Sequence, residues 1–83
     1  MTSRQETIIR HIGDQQGEII NEFGIADLMK EAPDVIMNEL RALGKQGLVD
    51  ISAETHNDGC PTFLTSAGEK LYRSLKPIQH KAR

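Results

Sequence analysis

Apolar residues recur at helical spacing along the chain, and they predict four helices. Ile36, Leu40 and Leu43 stand at i, i+4 and i+7, which places them on one face of a helix over about residues 33–44. The same reasoning predicts helices over about residues 3–13, 24–31 and 66–76. The other apolar positions expected to be buried are Ile8, Ile9, Ile12, Ile25, Leu28, Met29, Leu71, Tyr72 and Leu75, with Phe23 beneath the second helix.

Hydroxyl and carboxylate residues mark the expected starts of two helices. Ser3 and Glu6 have the spacing of a capping box, in which the two side chains satisfy free backbone donors. Ser66 and Glu69 repeat that spacing, and either Thr65 or Ser66 is expected to cap the fourth helix.

Between the third and fourth helices the pattern changes to the alternation of strands. Residues 48–52 alternate with a period of two, residues 57–59 have turn chemistry, and residues 62–64 are the expected returning strand. Pro61 should restrict that second strand to an edge position or a bulge. Residues 18–21 are interpreted as a short strand or an extended entry to the second helix.

Two motifs carry a resemblance to a known family. The first is Val35-Ile36-x-x-x-Leu40-x-x-Leu43-x-x-x-Gly47-Leu48-Val49, and the second is Phe63-Leu64-Thr65-x-x-Gly68-x-x-Leu71. With this order of elements, the chain resembles the winged-helix family, in particular small bacterial and phage regulators and the core of MarR-type repressors. The resemblance implies an α+β fold: a three-helix bundle with a β-hairpin wing and a C-terminal helix. It would span residues 1–76, and residues 77–83 would form a basic, frayed tail.

Composition bounds the size of the fold and the class of protein. With 83 residues the chain is expected to form one domain. The single cysteine, Cys60, cannot form an internal disulfide. The longest run of large apolar residues is Val35-Ile36-Met37, whereas a signal peptide needs about 7–15 apolar residues and a membrane span about 20. We therefore expect a soluble, cytoplasmic protein that does not associate with membranes.

Charge is divided unevenly along the chain. The formal net charge is −2, which argues mildly against a nucleic-acid binder. Residues 1–43 hold four bases and eight acids, whereas no acid follows Glu69 near the C-terminus. That region holds the bases Lys70, Arg73, Lys76, Lys81 and Arg83. Along a DNA backbone these bases would pair with phosphates, and otherwise they would form a solubilising tail.

The resemblance implies that the third helix enters the major groove of DNA. Asp34, Asn38, Arg41 and Lys45 lie opposite its buried stripe, with Met37 and Ala42 beside them. Arg41 suits guanine or a phosphate, Asn38 suits adenine, and Met37 suits a thymine methyl. Lys45 would reach a phosphate. The alternative is that these residues form an ordinary solvated helix face. Asp34 opposes DNA binding unless it caps the helix or accepts a hydrogen bond from a cytosine amine. The predicted DNA-binding residues are Met37, Asn38, Arg41, Lys45, Arg73 and Lys76.

A second function stays open because the wing tip has no fixed positive charge. Glu54 and Asp58 flank His56 there, so the alternative function is a protein-interaction module that does not bind DNA. Apolar surface on the first and last helices is expected to form a homodimer seam. His56, Asp58 and Cys60 do not match a structural zinc spacing, and no nucleophile or phosphate-binding loop is recognisable. We therefore expect no metal, no cofactor and no enzymatic activity.

Overall fold

Four helices and three short strands make up the computed structural model, which describes residues 1–15, 18–53 and 59–75. Their order is α1 (Ser3–Asp14), β1 (Ile20–Asn21), α2 (Glu22–Met29), α3 (Pro33–Lys45), β2 (Val49–Ile51), β3 (Pro61–Leu64) and α4 (Ser66–Ser74). This order confirms the predicted α+β winged-helix architecture. None of these helices has the length and apolar character needed to cross a membrane.

The core forms where α1, α2 and α3 meet. Its completely buried aliphatic side chains are Ile8, Ile9, Ile25, Ile36, Leu40 and Leu43. The three from α3 are those predicted from their i, i+4, i+7 spacing. The apolar side of α4 packs against this core with partly buried side chains, which also agrees with the prediction.

Helix α2 begins two residues earlier than predicted, and this changes which side chains it buries. Asn21 caps it, because its side-chain oxygen accepts a hydrogen bond from the backbone N–H of Gly24 at 2.9 Å. Ile25 is buried as expected, but Leu28 is 50% exposed and Phe23 is 45% exposed. The predictions that Leu28 is buried and that Phe23 packs beneath the helix were therefore wrong.

The capping box of α1 is displaced by one residue from the predicted one, and α4 has a single cap at Thr65, one of the two predicted positions, instead of the predicted box. The box of α1 pairs Thr2 with Gln5: the hydroxyl of Thr2 accepts from the Gln5 N–H at 3.1 Å, and the Gln5 side chain accepts from the Thr2 N–H at 3.3 Å. Thr65, rather than Ser66, caps α4 by accepting from the N–H of Gly68 at 3.0 Å. The hydroxyl of Thr65 also donates to the carbonyl of Gly47, a contact from outside the helix that favours this position.

The sheet has the order β1-β3-β2 with both pairs antiparallel, so β3 is the central strand. Pro61 therefore lies in a central strand, whereas an edge position or a bulge was predicted. It is tolerated because it is the first residue of β3, where its carbonyl still accepts from the N–H of Ser52 at 2.8 Å. The hairpin of β2 and β3 confirms the predicted wing strands, whereas the predicted turn at Asn57 and Asp58 lies outside the described residues.

The start of α4 approaches the wing so closely that only glycine fits at position 68. A Cβ atom there would lie 2.0 Å from the carbonyl oxygen of Leu48. That carbonyl cannot withdraw easily, because it accepts a hydrogen bond from the N–H of Thr65 at 3.1 Å. We expect Gly68→Ala to lower the free energy of unfolding by about 1–3 kcal/mol, the usual cost of overpacking, as measured by urea denaturation.

Gly44→Ala is the matched control for this substitution. A Cβ at Gly44 would lie at an ordinary contact distance, 3.7 Å from the carbonyl oxygen of Val49. Replacing glycine by alanine within a helix otherwise gains up to about 1 kcal/mol, so this variant should be neutral or more stable than the wild type. Equal effects of the two substitutions would contradict the close approach at Gly68.

His11 on α1 makes the stability depend on pH. Its partial burial lowers its pKa below the usual 6.5, and the charge of Asp14 offsets part of this shift. The unfolded chain therefore binds a proton at a pH where the folded protein does not, so the stabilisation present above about pH 6.5 is lost as the pH falls through the folded pKa. As the pH falls from about 7 to about 5, we expect the unfolding free energy of the wild type to decrease relative to that of His11→Gln, which cannot take up this proton. Parallel curves for the two proteins would contradict the shift.

Candidate nucleic-acid interface

A tight turn joins α2 to α3 and gives the two helices a helix-turn-helix arrangement. Lys30 ends α2 in the left-handed conformation, with φ of 56° and ψ of 44°. The chain then passes through Glu31 and Ala32 into Pro33, whose missing N–H costs nothing in the first turn of a helix. The turn brings the start of α3 back against α2, and α3 packs against α1 and β2 as well.

The orientation of α3 is fixed by its buried stripe. Ile36, Leu40 and Leu43 are completely buried, so the opposite side of the helix faces outward. That side carries a line of four exposed polar residues, here called the polar stripe: Asp34, Asn38, Arg41 and Lys45. They follow one another at i, i+4, i+7 and i+11 and extend over roughly 16 Å along the helix. Met37 and Ala42 are half-buried at its sides, as predicted.

The side chains of the polar stripe have no partner within the described part of the chain. Neither Asp34, Asn38, Arg41 nor Lys45 forms a hydrogen bond or an ion pair there. Other charged residues are engaged, since Arg10 lies 3.9 Å from Glu6 and Arg73 lies 3.5 Å from Glu69. Within the described structure, the polar stripe therefore presents a carboxylate, an amide and two cations that are available to bind another molecule.

Glu39 lies at the rim of the buried stripe and anchors α3 to the beginning of α1. Its carboxylate accepts a hydrogen bond from the side-chain amide of Gln5 at 3.0 Å and lies 3.5 Å from the guanidinium of Arg4. Arg4 also pairs with Glu31 in the turn at 3.1 Å. The hydrogen bond to Glu31 is the main cause that raises the pKa of Arg4, and Glu39 adds to it. Glu39 is thus both a half-buried rim residue and the partner of a base.

The remaining predicted site residues do not join the polar stripe in the described structure. Arg73 is exposed on α4, which packs mainly against α1 and β3. Lys76 lies outside the described residues, and so does the wing tip with its two acids. The structure therefore brings Met37, Asn38, Arg41 and Lys45 together on α3 and places Arg73 on a different helix.

Several large apolar side chains are exposed, and two of them, Phe23 and Leu28, were expected to be buried. Phe23 and Leu28 on α2 are about half exposed, as are Ile19 before β1 and Phe63 on β3. By contrast, the described parts of α1 and α4 expose no large apolar side chain, and the homodimer seam expected on the first and last helices stays a prediction. In a helix as short as α2, the spacing of apolar residues is compatible with burial of either face. No signal in the sequence showed which face is buried.

Glu22 is a buried carboxylate that serves the fold. It accepts a hydrogen bond from the backbone N–H of Cys60 at 2.8 Å and so links α2 to the start of β3. Cys60 itself is half-buried and is not in a disulfide. Within the described residues, no three His, Cys, Asp or Glu side chains gather as a metal site would require.

Several solved structures, among them those of a transcription regulator, resemble this chain in fold. MepR, a transcription regulator of the Staphylococcus aureus multidrug efflux pump MepA, superposes with a TM-score of 0.80 at 20% identity, over 89% of this chain and 54% of MepR. The S. aureus MepR–DNA complex superposes with a TM-score of 0.78 at 20% identity, over 89% and 53%. A mutant of Lactococcus lactis ZitR superposes with a TM-score of 0.75 at 24% identity, over 89% and 49%. No protein-family model and no curated protein sequence matches the chain.

The comparisons define the class of fold. The chain is a winged-helix domain, and its resemblance to the core of MarR-type repressors is confirmed for the fold. It spans about half the length of the solved structures that it matches.

Proposed function

We propose that this chain is a DNA-binding transcriptional regulator that reads the major groove with α3. The observation that carries this proposal is the polar stripe, because its four side chains are exposed and unpartnered within the described residues. A helix with such a face, held by its opposite face on a three-helix core, has the build of a recognition helix. A regulator of this kind acts in the cytoplasm and needs neither a cofactor nor a catalytic step.

Each side chain near the polar stripe has a specific task in the proposal. Arg41 donates two hydrogen bonds to guanine or pairs with a phosphate, and Asn38 bonds the N6 and N7 edge of adenine. Met37, half-buried beside them, contacts a thymine methyl. Lys45 in the last turn of α3 reaches a phosphate, and Arg73 with Lys76 adds phosphate contacts from the C-terminal side.

The fold comparison supports the proposal from a different direction. MepR, with the same fold, has been solved in complex with DNA. Near α3, Arg4 pairs with both Glu31 and Glu39 and so offsets one of their two negative charges. The cations Arg41 and Lys45 outnumber the one acid of the polar stripe, Asp34.

Titration of the full chain with duplex DNA over a series of salt concentrations tests the proposal. If Arg41, Lys45, Arg73 and Lys76 all neutralise phosphates, the logarithm of the association constant should fall with the logarithm of salt with a slope of about −3 to −4. Fluorescence anisotropy of labelled duplexes measures it. Folded protein that binds no duplex at low salt, or binding that does not respond to salt, would contradict the proposal.

Charge reversal at single positions separates the contributions of α3 and α4 to the affinity. Arg41→Glu is expected to weaken binding about tenfold or more, because it removes a base or phosphate contact and adds repulsion. Arg73→Glu makes the same change of charge at a proposed phosphate contact on α4, where the loss is expected to be smaller because no base is read there. Equal losses would indicate attraction to the net charge instead of readout by α3.

We further propose that the regulator is a homodimer, since two-fold symmetry matches the symmetry of paired half-sites in DNA. Sedimentation equilibrium should then give twice the chain mass of 9.2 kDa. A duplex with two half-sites separated by about 34 Å, one turn of DNA, should bind more tightly than a single half-site. A monomer at all concentrations, with no gain from the second half-site, would contradict the dimer.

A second candidate function is a protein-interaction module, and the surface of α2 favours it. Phe23 is 45% exposed and lines an open, shallow depression of the surface that Asp27, Lys30 and Pro33 also border. Aromatic residues are enriched in protein interfaces, whose rims are polar. The DNA titration discriminates between the two functions. A folded chain that does not bind DNA but binds a basic protein partner stoichiometrically would favour the second function.

A further inference from the structure

We propose that Asp34 selects cytosine at one position of the DNA site, an inference that rests on the proposed function. Asp34 is the second residue of α3 and the first member of the polar stripe. In helix-turn-helix proteins the N-terminal residues of the recognition helix contact the edges of the bases. The position of Asp34 therefore places a carboxylate where sequence is read.

The carboxylate of Asp34 does not accept a capping hydrogen bond from its own helix. The cap position of α3 is Ala32, which offers no side-chain hydrogen bond, and the N–H groups of Val35 and Ile36 bond to the carbonyl of Ala32 instead. Asp34 also makes no ion pair within the described residues. Its charge interacts favourably with the start of the helix, but its oxygen atoms remain available as acceptors.

The chemistry of the major groove allows few partners for a group that only accepts hydrogen bonds. Guanine presents the two acceptors N7 and O6, and thymine presents an acceptor and a methyl group. Neither base therefore offers a hydrogen-bond donor to a carboxylate in the major groove. Adenine offers the N6 amine, but the acceptor N7 stands beside it. The N4 amine of cytosine is the donor that a carboxylate pairs with most directly.

The spacing along α3 relates this contact to the other proposed contacts. Asn38 follows Asp34 by four residues, or about 6 Å along the helix axis. Base pairs are about 3.4 Å apart, so the cytosine lies about two steps from the adenine that Asn38 reads when α3 follows the groove. Asp34 thus acts mainly by exclusion, because guanine or thymine leaves its carboxylate desolvated and unpaired, and adenine offers a donor only beside the acceptor N7.

Base-specific binding of the full chain tests this role. A duplex selected from a random library with the wild-type protein is compared with duplexes that carry each other base pair at the cytosine position. Wild-type affinity should fall between about fivefold and 150-fold for the wrong pairs, and Asp34→Ala should bind all four about equally. Asp34→Asn should move the preference towards adenine, because an amide can bond both N6 and N7.

A change in the DNA isolates the single contact. Replacing the cytosine by 2-pyrimidinone, which lacks the N4 amine, should weaken the wild type as much as a wrong base pair does and should leave Asp34→Ala unaffected. Asp27→Ala removes an exposed acid from α2 and is the matched control: it should change affinity for every duplex by the same factor.

Two results would overturn the inference, and they are distinguishable. If Asp34→Ala binds every duplex more tightly with an unchanged base preference, Asp34 only repels phosphates, and the proposed function stands. If the folded wild-type chain binds no DNA at low salt, the proposed function fails and the cytosine contact fails with it.

Discussion

The burial of one stripe on α3 is the interaction on which the rest of this structure depends. Ile36, Leu40 and Leu43 are completely buried against α1, α2 and β2, and each buried aliphatic side chain contributes about 1.5–3 kcal/mol. Their burial sets the rotation of α3 about its own axis. Because the buried stripe cannot turn outward, the polar stripe cannot turn inward, and the hydrophobic core thereby determines which side chains are offered to a partner.

Polar contacts then complete the position of α3 that the core has set. Glu39 is held by both Gln5 and Arg4, and Arg4 reaches Glu31 in the turn, so the start of α1 is tied to the α2–α3 turn and to the middle of α3. Exposed ion pairs of this kind contribute little to stability. They join segments that are 27 and 35 residues apart in sequence and so connect the start of α1 to the turn and to α3.

Net charge is a poor guide to this surface, because several acids are already committed to the fold. Glu22 bonds the backbone of Cys60, and Glu31 and Glu39 face Arg4. What a partner meets at α3 is the polar stripe, whose charge runs from an acid at the beginning of the helix to a base at its end. That order agrees with the helix dipole, so the groups offered for recognition also stabilise the helix that carries them.

The sequence by itself determined the elements whose signals are local. The spacing of apolar residues defined α3 and its two stripes, and the change to period two defined the wing strands. Tertiary structure decided the rest: Thr65 caps α4 because it also reaches Gly47, and Pro61 lies in the central strand because β1 pairs with β3 from the other side. The exposure of Phe23 and Leu28 likewise depends on how α2 is placed by Asn21 and the core. Those outcomes depend on contacts between distant segments, which no local pattern of hydrophobic and polar residues records.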